Sequence, residues 1–411
     1  MRLPKRSDFP QSKRELIEDI VAGFTVAIVA LPLAIGFGIT SGMSAAAGIS
    51  TAIIAGFLAA LFGGSRLQVS GPTGAMTVIL IPVIDKYGVN AIPALGVLAG
   101  AMVILMAILR LGALINKVPH YVIEGFTLGI AVIIALQQLP MALGVPKGQG
   151  ERTLKIAYKT LISGSYNWAA ISIVIVTLLF KFNFVKILEA LRIKAYIPAS
   201  FGALLFGTTV AKVFSLNVAT IGEIPRNVAT FTKPIFNDIT SLLWPALMIA
   251  LLAAIESLLS ARVADSLAHL PRERRLDADQ ELIGQGLATA VASIFGGQPA
   301  TGAIARTGVN VRAQAHTRFA SMVHSIVLLF IILIAAPLFS QIPAAAIAGV
   351  LIGTSVRILN PTNLIETLRT TKGEIATYFI TAIATISIDL IWGIAIGLSA
   401  HFLVNRVKSL K

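Results

Sequence analysis

The residues best placed to do chemistry in this sequence are charged groups inside apolar stretches. Glu256 lies in WPALMIALLAAIESLLSARVADS, and no other charge occurs between Trp244 and Leu259. A carboxylate inside such a stretch is costly, and burial raises the affinity of a carboxylate for protons. Ser260 follows four residues later, on the same face of a helix. The two residues are suited to carrying a coupling proton, or to holding Na⁺ through their oxygen atoms.

A second charge in an apolar context is Arg306, three residues after Ala303 in the stretch PATGAIART. It can neutralise a small anion, or it can extend to the cytosol from the end of a short segment. Besides carrying a proton or holding Na⁺, Glu256 has a third possible role, which is structural. It can pair with Arg306 and hold two helices together. Pairing does not exclude proton binding, because the pair can open when an anion arrives.

Two interrupted motifs indicate an internal duplication. FGG occurs at residues 62–64 and at 295–297, and each copy precedes a Pro and then Thr-Gly-Ala. The stretch VPHYVIEG at 118–125 matches IPAAAIAG at 342–349 with the same Pro-to-Gly spacing. Three matches in the same order predict a duplicated unit of seven segments. An odd number of crossings inverts the second copy in the membrane.

The Gly-Pro interruptions predict half-helices that begin near the middle of the membrane. Paired broken segments in matching positions point to the binding site of inverted-repeat transporters. The free N–H groups and positive dipole ends of two such helices favour an anion. The alternative is that each interruption is a loop between two full helices. The predicted donors are the backbone N–H groups of Thr73, Gly74, Ala75, Thr301, Gly302 and Ala303. The hydroxyl of Thr73 is a further donor.

Composition places these motifs in a membrane protein. The 411-residue chain is 56% hydrophobic and only 13% charged, against about 25% charged in a soluble domain. A spanning helix needs about 20 mostly apolar residues. We predict an all-α polytopic fold of fourteen transmembrane segments: 18–37, 44–62, 73–84, 91–109, 120–138, 168–181, 197–214, 241–261, 281–296, 302–312, 319–338, 343–356, 374–388 and 389–405.

The net charge of +14 indicates orientation in the membrane rather than nucleic-acid binding. Most Lys and Arg residues fall in loops on the side of the N-terminus, which places both termini in the cytosol. The polar tail at 1–17 lacks a cleavable signal pattern. We therefore expect an integral protein, in the bacterial plasma membrane.

Several function classes find no support in the sequence. There are no cysteines, so disulfides and thiolate metal sites are excluded. The five histidines form no HExxH pair, and neither a P-loop nor a GxSxG motif occurs. We expect no enzyme activity, no metal and no cofactor other than a coupling ion, H⁺ or Na⁺.

The motifs GPTGAMT, PATGAIART and AIESLLSARVADS, followed by ELIGQGLA, together resemble the SulP family of anion transporters. The resemblance implies two inverted repeats of seven segments, with the anion between segments 3 and 10. It implies a core domain of segments 1–4 and 8–11, at about 18–110 and 241–338. It implies a gate domain of segments 5–7 and 12–14, at about 118–215 and 342–405. Within that family, Arg306 matches an arginine that helps to neutralise the anion, and homodimers are usual.

Two departures from the family pattern qualify this resemblance. Family members usually carry a cytosolic STAS domain after the last segment, whereas we expect only a short tail at 406–411 and no STAS domain. Many sulfate-type members have Gln after the Pro of the first segment, where this chain has Leu33. Sulfate, bicarbonate and a dicarboxylate all remain open as the transported anion. Glu at position 256 is typical of proton-coupled members, and sodium-coupled bicarbonate members carry an acidic residue and a hydroxyl there.

Two further readings stay open beside proton-coupled anion symport. A passive anion channel or exchanger can use the same fold, although it needs no titratable coupling group such as Glu256. A nucleobase–cation symporter shares the broken-helix architecture, but Arg306 facing two helix N-termini suits a small anion better than a neutral base.

Separately, the stretch at 146–161 has amphipathic character, and it either lies on the membrane surface or serves as a plain connecting loop.

Overall fold

The computed structural model describes most of the chain, with short gaps between the helices. The described residues are 3–115, 118–146, 153–162, 164–190, 192, 198–222, 229–236, 239–271, 275–359, 361–388 and 390–409.

The described residues fold almost entirely into helices. In chain order they are α1 (Lys13–Thr40), α2 (Ala45–Phe62), α3 (Gly74–Tyr87), α4 (Ile92–Ile108), α5 (Gly112–Ile115), α6 (His120–Gln137), α7 (Leu139–Leu143), α8 (Thr153–Ile162), α9 (Trp168–Ala190), α10 (Ala199–Val213), α11 (Ile239–Leu267), α12 (Ala278–Ile294), α13 (Ile304–Arg312), α14 (Arg318–Phe339), α15 (Ala344–Leu359), α16 (Pro361–Leu368), α17 (Lys372–Ser387) and α18 (Leu390–Ser409). Short 3-10 turns precede α1, at Arg6–Asp8, and α4, at Val89–Ala91.

The helices agree with the class predicted from the sequence. A helix occupies each of the fourteen predicted segments. Within the described part of the chain, eight helical stretches are long and apolar enough to cross a membrane. The all-helical membrane fold is therefore confirmed, whereas the fourteen crossings in two inverted repeats stay a prediction.

A pair of two-residue strands is the element that the all-α prediction did not include. Strand β1 (Ser70–Gly71) pairs antiparallel with β2 (Thr301–Gly302). Helices α3 and α13 begin directly after these strands and have 14 and 9 residues. Both are shorter than the roughly 20 residues that a spanning helix needs. The Gly-Pro interruptions therefore precede short helices, as the sequence predicts.

The described chain divides into two compact units. The first comprises Met1–Asn116, Asn183–Leu205 and Thr220–Ile342, and the second comprises Lys117–Phe182, Phe206–Ala219 and Pro343–Lys411. The predicted boundaries of a core and a gate domain stay a prediction.

Close helix packing builds the first unit. Helix α12 packs against α2 and α4, and α1 packs against α2 and α14. A Cβ atom at Gly100 of α4 would overlap the carbonyl oxygen of Gly286 on α12, so the two backbones approach closely. Small residues at such contacts are typical of helices packed in membranes. This packing holds the short helix α13 against α1 and α11.

The second unit is built around α6 and α17. Helix α17 packs against α6 and α18, and α15 packs against α6 and α7. Lys181 is buried on α9, and its ammonium donates to Val350 O over 2.6 Å and to Thr354 Oγ1 over 2.7 Å on α15. Glu124 on α6 accepts a hydrogen bond from Thr367 over 3.0 Å on α16. These bonds satisfy charged groups that lie within the helical unit.

Candidate functional site

The two chain interruptions meet in the first unit. Ser70 lies opposite Gly302, and Gly71 lies opposite Thr301. Ala303 N donates to Val69 O over 2.9 Å and extends the pairing by one residue. Because each strand leads at once into a short helix, the pairing brings together the N-termini of α3 and α13. We call these four paired residues, 70–71 and 301–302, the strand crossing.

The two helix N-termini at the strand crossing are capped differently. Thr73 caps α3, and its Oγ1 accepts from Met76 N over 3.4 Å. The N-cap of α13 is Ala303, which has no side-chain acceptor. Ala305, in the first turn of α13, is exposed. No side chain of the N-cap residue therefore satisfies the N–H groups in the first turn of α13.

Arg306 is buried beside the strand crossing, with only 1% of its surface exposed. Its Nη2 donates to Pro72 O, and its Nη1 has no hydrogen-bond partner among the described residues. A Cβ atom at Gly71 would overlap Nη1, so glycine at this position makes room for the guanidinium. A buried donor without a partner is costly, and an incoming acceptor would remove that cost.

Glu256 on α11 is tied to the N-terminus of α3. Thr73 Oγ1 donates to Glu256 Oε2 over 3.1 Å. Glu256 is partly exposed, and Arg306 donates to the carbonyl oxygen of Pro72, the residue that precedes Thr73. The carboxylate, the threonine hydroxyl and the guanidinium therefore belong to one charged cluster at the strand crossing.

Ser260 contributes to the strand crossing by a different contact from the one predicted. It is fully buried, and its Oγ lies 2.9 Å from Thr307 Oγ1 on α13. Thr307 Oγ1 also accepts from Val69 N over 3.0 Å. The hydrogen bond between Ser260 and Thr307 thus connects α11 to α13. The bond from Val69 N connects the same threonine to the residue before β1. Its role beside Glu256 as a coupling-ion ligand stays a prediction.

Some of the predicted backbone donors are already engaged within the protein. Gly302 N donates to Ser257 Oγ over 3.0 Å, and Ala303 N donates to Val69 O. The Ser257 hydroxyl also lies 2.9 Å from Thr301 Oγ1. Thr301 and Gly302 are fully buried, as are Gly74 and Ala75 at the start of α3. The role of these residues in holding an anion stays a prediction.

A buried polar network, which the sequence analysis did not identify, supports β1 from α12. Gln285 Nε2 donates to Ser70 Oγ over 2.5 Å and to Glu281 Oε1 over 2.9 Å. Glu281 Oε2 accepts from Gly64 N and from Ser65 N, each over 2.9 Å. This carboxylate is 1% exposed. The signal in the sequence was Glu281 and Gln285 four residues apart in a helix that continues with mostly small and apolar residues.

Gln68 completes this support on the side of β2. A Cβ atom at Gly302 would overlap the Gln68 amide, so the side chain lies against the backbone of β2. The amide is satisfied when its nitrogen faces Ser257 O and Glu281 Oε1 and its oxygen faces Gln285 Nε2. The strand crossing is therefore held from α11 and from α12 by buried side chains.

The described residues give no indication of a metal centre. Among the described residues, no group of three or more acidic, histidine or cysteine side chains could hold a metal ion. Two helices that start at paired interruptions, with a buried arginine beside them, are typical of membrane transporters with discontinuous helices.

Comparison with known proteins identifies the class more closely. The chain belongs to the sulfate permease family, whose model matches residues 16–381. It is therefore a membrane transporter and not an enzyme, as the sequence predicted.

Two relatives illustrate the range of names within the family. The chain is 36% identical over 394 residues to YvdB of Bacillus subtilis (strain 168), which is named for sulfate transport; the match covers 94% of this chain and 72% of the relative. It is 33% identical over 402 residues to the bicarbonate transporter BicA of Picosynechococcus, with 93% of this chain and 69% of the relative covered.

Solved structures share the fold. The transmembrane domain of a cyanobacterial bicarbonate transporter BicA matches with a TM-score of 0.84 at 29% identity, over 93% of this chain and 98% of that one. Murine Slc26a9, described as an anion transporter in the inward-facing state, matches with a TM-score of 0.82 at 16% identity, over 97% and 70% of the two chains. The second likeness concerns the fold alone.

Proposed function

We propose that the protein carries a small anion across the membrane by secondary active transport, with the anion bound at the strand crossing. The observation that carries this proposal is Arg306, which is buried beside two helix N-termini and has Nη1 without a partner. Two helix N-termini and one guanidinium form a positively charged, donor-rich place in a weakly screening environment. A singly or doubly charged oxyanion supplies the acceptors that these groups lack.

The proposed contacts are divided between α13 and α3. The first turn of α13 offers N–H groups, next to Thr301, Gly302 and Ala303. Arg306 Nη1 provides the charge-assisted bond. At the start of α3, Thr73, Gly74 and Ala75 supply the second positive helix end. The anion then displaces no existing hydrogen bond of Arg306, because Nη2 keeps its bond to Pro72 O.

Glu256 is the proposed coupling group, and a proton is the proposed coupling ion. Its carboxylate shares the cluster with Arg306, and it repels an anion that enters. Protonation removes that repulsion, so proton binding and anion binding favour each other. Glu256 is partly exposed and therefore within reach of protons. Uphill movement of the anion would then follow the proton gradient.

Transport measurements distinguish the candidate anions and coupling ions. Sulfate and bicarbonate are the anions in the names of the relatives, and a dicarboxylate fits the same donors. Sodium coupling is the alternative at the same residues, with Glu256 and Ser260 as oxygen ligands. The bond of Ser260 to Thr307 fixes the position of its hydroxyl and leaves a lone pair of its oxygen for an ion. A passive channel or exchanger would leave Glu256 without a coupling role.

The proposed function includes an architecture finer than the fold described above. We propose fourteen membrane crossings in two inverted repeats, which the antiparallel pairing of the two interruptions supports. We further propose a core domain and a gate domain that move against each other, both termini in the cytosol, and a homodimer in the bacterial plasma membrane. The repeated motifs place α3 and α13 in equivalent positions of the two repeats.

Uptake into proteoliposomes tests this function directly. Labelled sulfate, bicarbonate and fumarate are offered one at a time, with an imposed proton gradient or an imposed sodium gradient. Accumulation of one anion above equilibrium under a proton gradient supports the proposal. Accumulation under a sodium gradient alone supports the sodium alternative. If every anion merely equilibrates under both gradients, secondary active transport is wrong and the channel or exchanger reading replaces it.

A further inference from the structure

Helix α8 of the second unit has a distribution of side chains that its packing within the protein does not explain. One face is buried and consists of Ile156, Ala157 and Thr160. This face packs against α6 and α7. A connecting helix with no further partner would carry polar groups on the remainder of its surface. In α8, four of the six exposed residues are apolar.

The exposed apolar residues of α8 form a second face. Tyr158 and Ile162 are 64% and 62% exposed, and Leu154 and Leu161 are 43% and 47% exposed. Their spacing of i, i+4, i+7 and i+8 places them on one side of a helix. Single exposed apolar residues are ordinary, but a contiguous row of four on a ten-residue helix marks a contact surface.

Two lysines form the third face. Lys155 and Lys159 are both exposed and lie four residues apart. At about 100° per residue, the buried, the apolar and the lysine faces point in directions roughly 95–140° apart. A helix that lies flat in a membrane surface beside a protein needs this arrangement: one side against the protein, one toward the acyl chains, and one toward the phosphate groups.

The position of α8 in the chain places it at the membrane boundary. It lies between two candidate spans, one ending at Leu143 and one beginning at Trp168. The backbone of Asn167 donates to Leu143 O over 2.9 Å, so the ends of these spans are held together. The Tyr166 hydroxyl donates to Leu161 O and attaches the end of α8 to the same place. Trp168 is 74% exposed, and exposed aromatic residues are typical of the membrane–water interface.

We propose that α8 is an interfacial helix that binds the phospholipid surface of the membrane. Its apolar face, Leu154, Tyr158, Leu161 and Ile162, enters the boundary between headgroups and acyl chains. Lys155 and Lys159 contact the lipid phosphates. The helix thereby anchors the second unit at the level where α6 and α7 end and α9 begins. The opposite charges of lysine and phosphate favour lipid over a second copy of this chain, whose α8 would bring lysines toward lysines.

Single-cysteine variants test this inference, because the chain contains no native cysteine. Nitroxide labels are attached at Tyr158→Cys and Ile162→Cys on the apolar face, and at Lys155→Cys and Lys159→Cys on the lysine face. The protein is reconstituted into vesicles of phosphatidylethanolamine and phosphatidylglycerol. Collision of each label with oxygen, which concentrates in lipid, is compared with collision with a water-soluble nickel chelate. All four side chains are exposed, so the fold tolerates the labels.

Two further positions calibrate the measurement. A label at Ile334, a residue of the long apolar helix α14 that is 76% exposed, reports full lipid contact. A label at the exposed Lys13 reports water. We expect a severalfold higher oxygen-to-nickel ratio at 158 and 162 than at 155 and 159, approaching the value at 334.

Either of two results would overturn the proposal. Equal ratios on both faces of α8, near the value at Lys13, would mean that the helix lies in water. Shielding of 158 and 162 from both reagents, together with dipolar coupling between labels on two chains, would mean that a second copy covers the face. Neither result depends on whether the protein transports an anion, so the inference stands or falls independently of the proposed function.

Discussion

The hydroxyl of Thr73 connects the carboxylate of Glu256 to the first turn of α3. It donates to Glu256 Oε2 over 3.1 Å, and its oxygen accepts from Met76 N over 3.4 Å. An N-cap residue normally serves only its own helix. Here the cap also contacts a carboxylate on α11, so a change in the protonation of Glu256 reaches the N-terminus where the anion is proposed to bind.

Replacing Glu256 by Gln should abolish uptake driven by a proton gradient while preserving exchange of bound anion. The amide has nearly the shape of the carboxyl group, but it neither takes up nor releases a proton. The measurement compares gradient-driven accumulation with counterflow in proteoliposomes. Glu256→Asp is the matched control, because it keeps a titratable carboxyl group. Wild-type accumulation in Glu256→Gln under a proton gradient would refute the coupling role.

Two variants of Thr73 separate the effect of its hydroxyl from the effect of its side-chain shape. Thr73→Val removes both hydrogen bonds and keeps the branched shape, whereas Thr73→Ser keeps the hydroxyl. Loss of an N-cap costs about 1 kcal/mol, so Thr73→Val should remain folded and should show slower gradient-driven uptake. Thr73→Ser should resemble the wild type. Equal uptake by both variants would mean that the link to Glu256 has no part in transport.

Removing the charge of Arg306 should weaken anion binding. Truncating one partner of a buried charge pair costs about 2 kcal/mol or more, which is roughly a 30-fold loss of affinity. Arg306→Ala is therefore expected to lose binding of the transported anion, measured by calorimetry in detergent. An affinity unchanged for every anion tested would show that Arg306 lies outside the site.

Gly71→Ala tests the position of that guanidinium without removing its charge. The added Cβ overlaps Nη1, so the end of the Arg306 side chain must shift. Anion affinity should fall, and thermal stability should fall as well, because the backbone of Gly71 has a positive φ of 155° that side-chain-bearing residues rarely adopt. Gly308→Ala, in the same helix as Arg306, is the matched control, since its Cβ would meet only Arg312 at 3.4 Å or more. Equal affinities in the two glycine variants would contradict the proposed role of Nη1.

The short helices that begin at the strand crossing could be predicted because the sequence signals there are local. Gly71 and Pro72 interrupt an apolar run, and Pro cannot donate a hydrogen bond within a helix. The repetition of the motif at residues 299–303 predicted that the two interruptions form equivalent elements. The pairing of β1 with β2 could not be read from either motif, because it depends on contacts more than 200 residues apart in the chain.

The polar side chains that support the site were harder to predict, for the same reason. Ser257 and Thr307 look like ordinary small residues of apolar helices until α11 and α13 are brought together. Lys181 was assigned to the end of a segment at 168–181, but α9 continues to Ala190 and buries this lysine against α15. A charge count assigns such a residue to a loop, since the buried acceptors Val350 O and Thr354 Oγ1 lie far away in the sequence.

The carboxylates of Glu281 and Glu256 are expected to have different roles. Glu281 should stabilise the fold, whereas Glu256 should couple transport to the proton gradient. Glu281 accepts hydrogen bonds from Gly64 N, Ser65 N and Gln285 Nε2, so both of its oxygen atoms are engaged within the fold. Glu281→Ala leaves these donors without an acceptor, at a cost of about 1–3 kcal/mol for each buried group. We expect a markedly lower thermal unfolding temperature for Glu281→Ala and a smaller decrease for Glu281→Gln, which retains one oxygen acceptor.

The transport properties of Glu281→Gln should then differ from those of Glu256→Gln. Because Glu281 holds β1 in place through Gln285 and Ser70, its variant should lose folded protein while each folded molecule keeps its response to the proton gradient. Glu256 makes one described hydrogen bond to Thr73 and is partly exposed, so its variant should keep its stability and lose the response. Uptake normalised to folded protein measures both effects. If Glu281→Gln were as stable as the wild type but insensitive to the gradient, the proton would be carried by the carboxylate on α12 rather than by the one on α11.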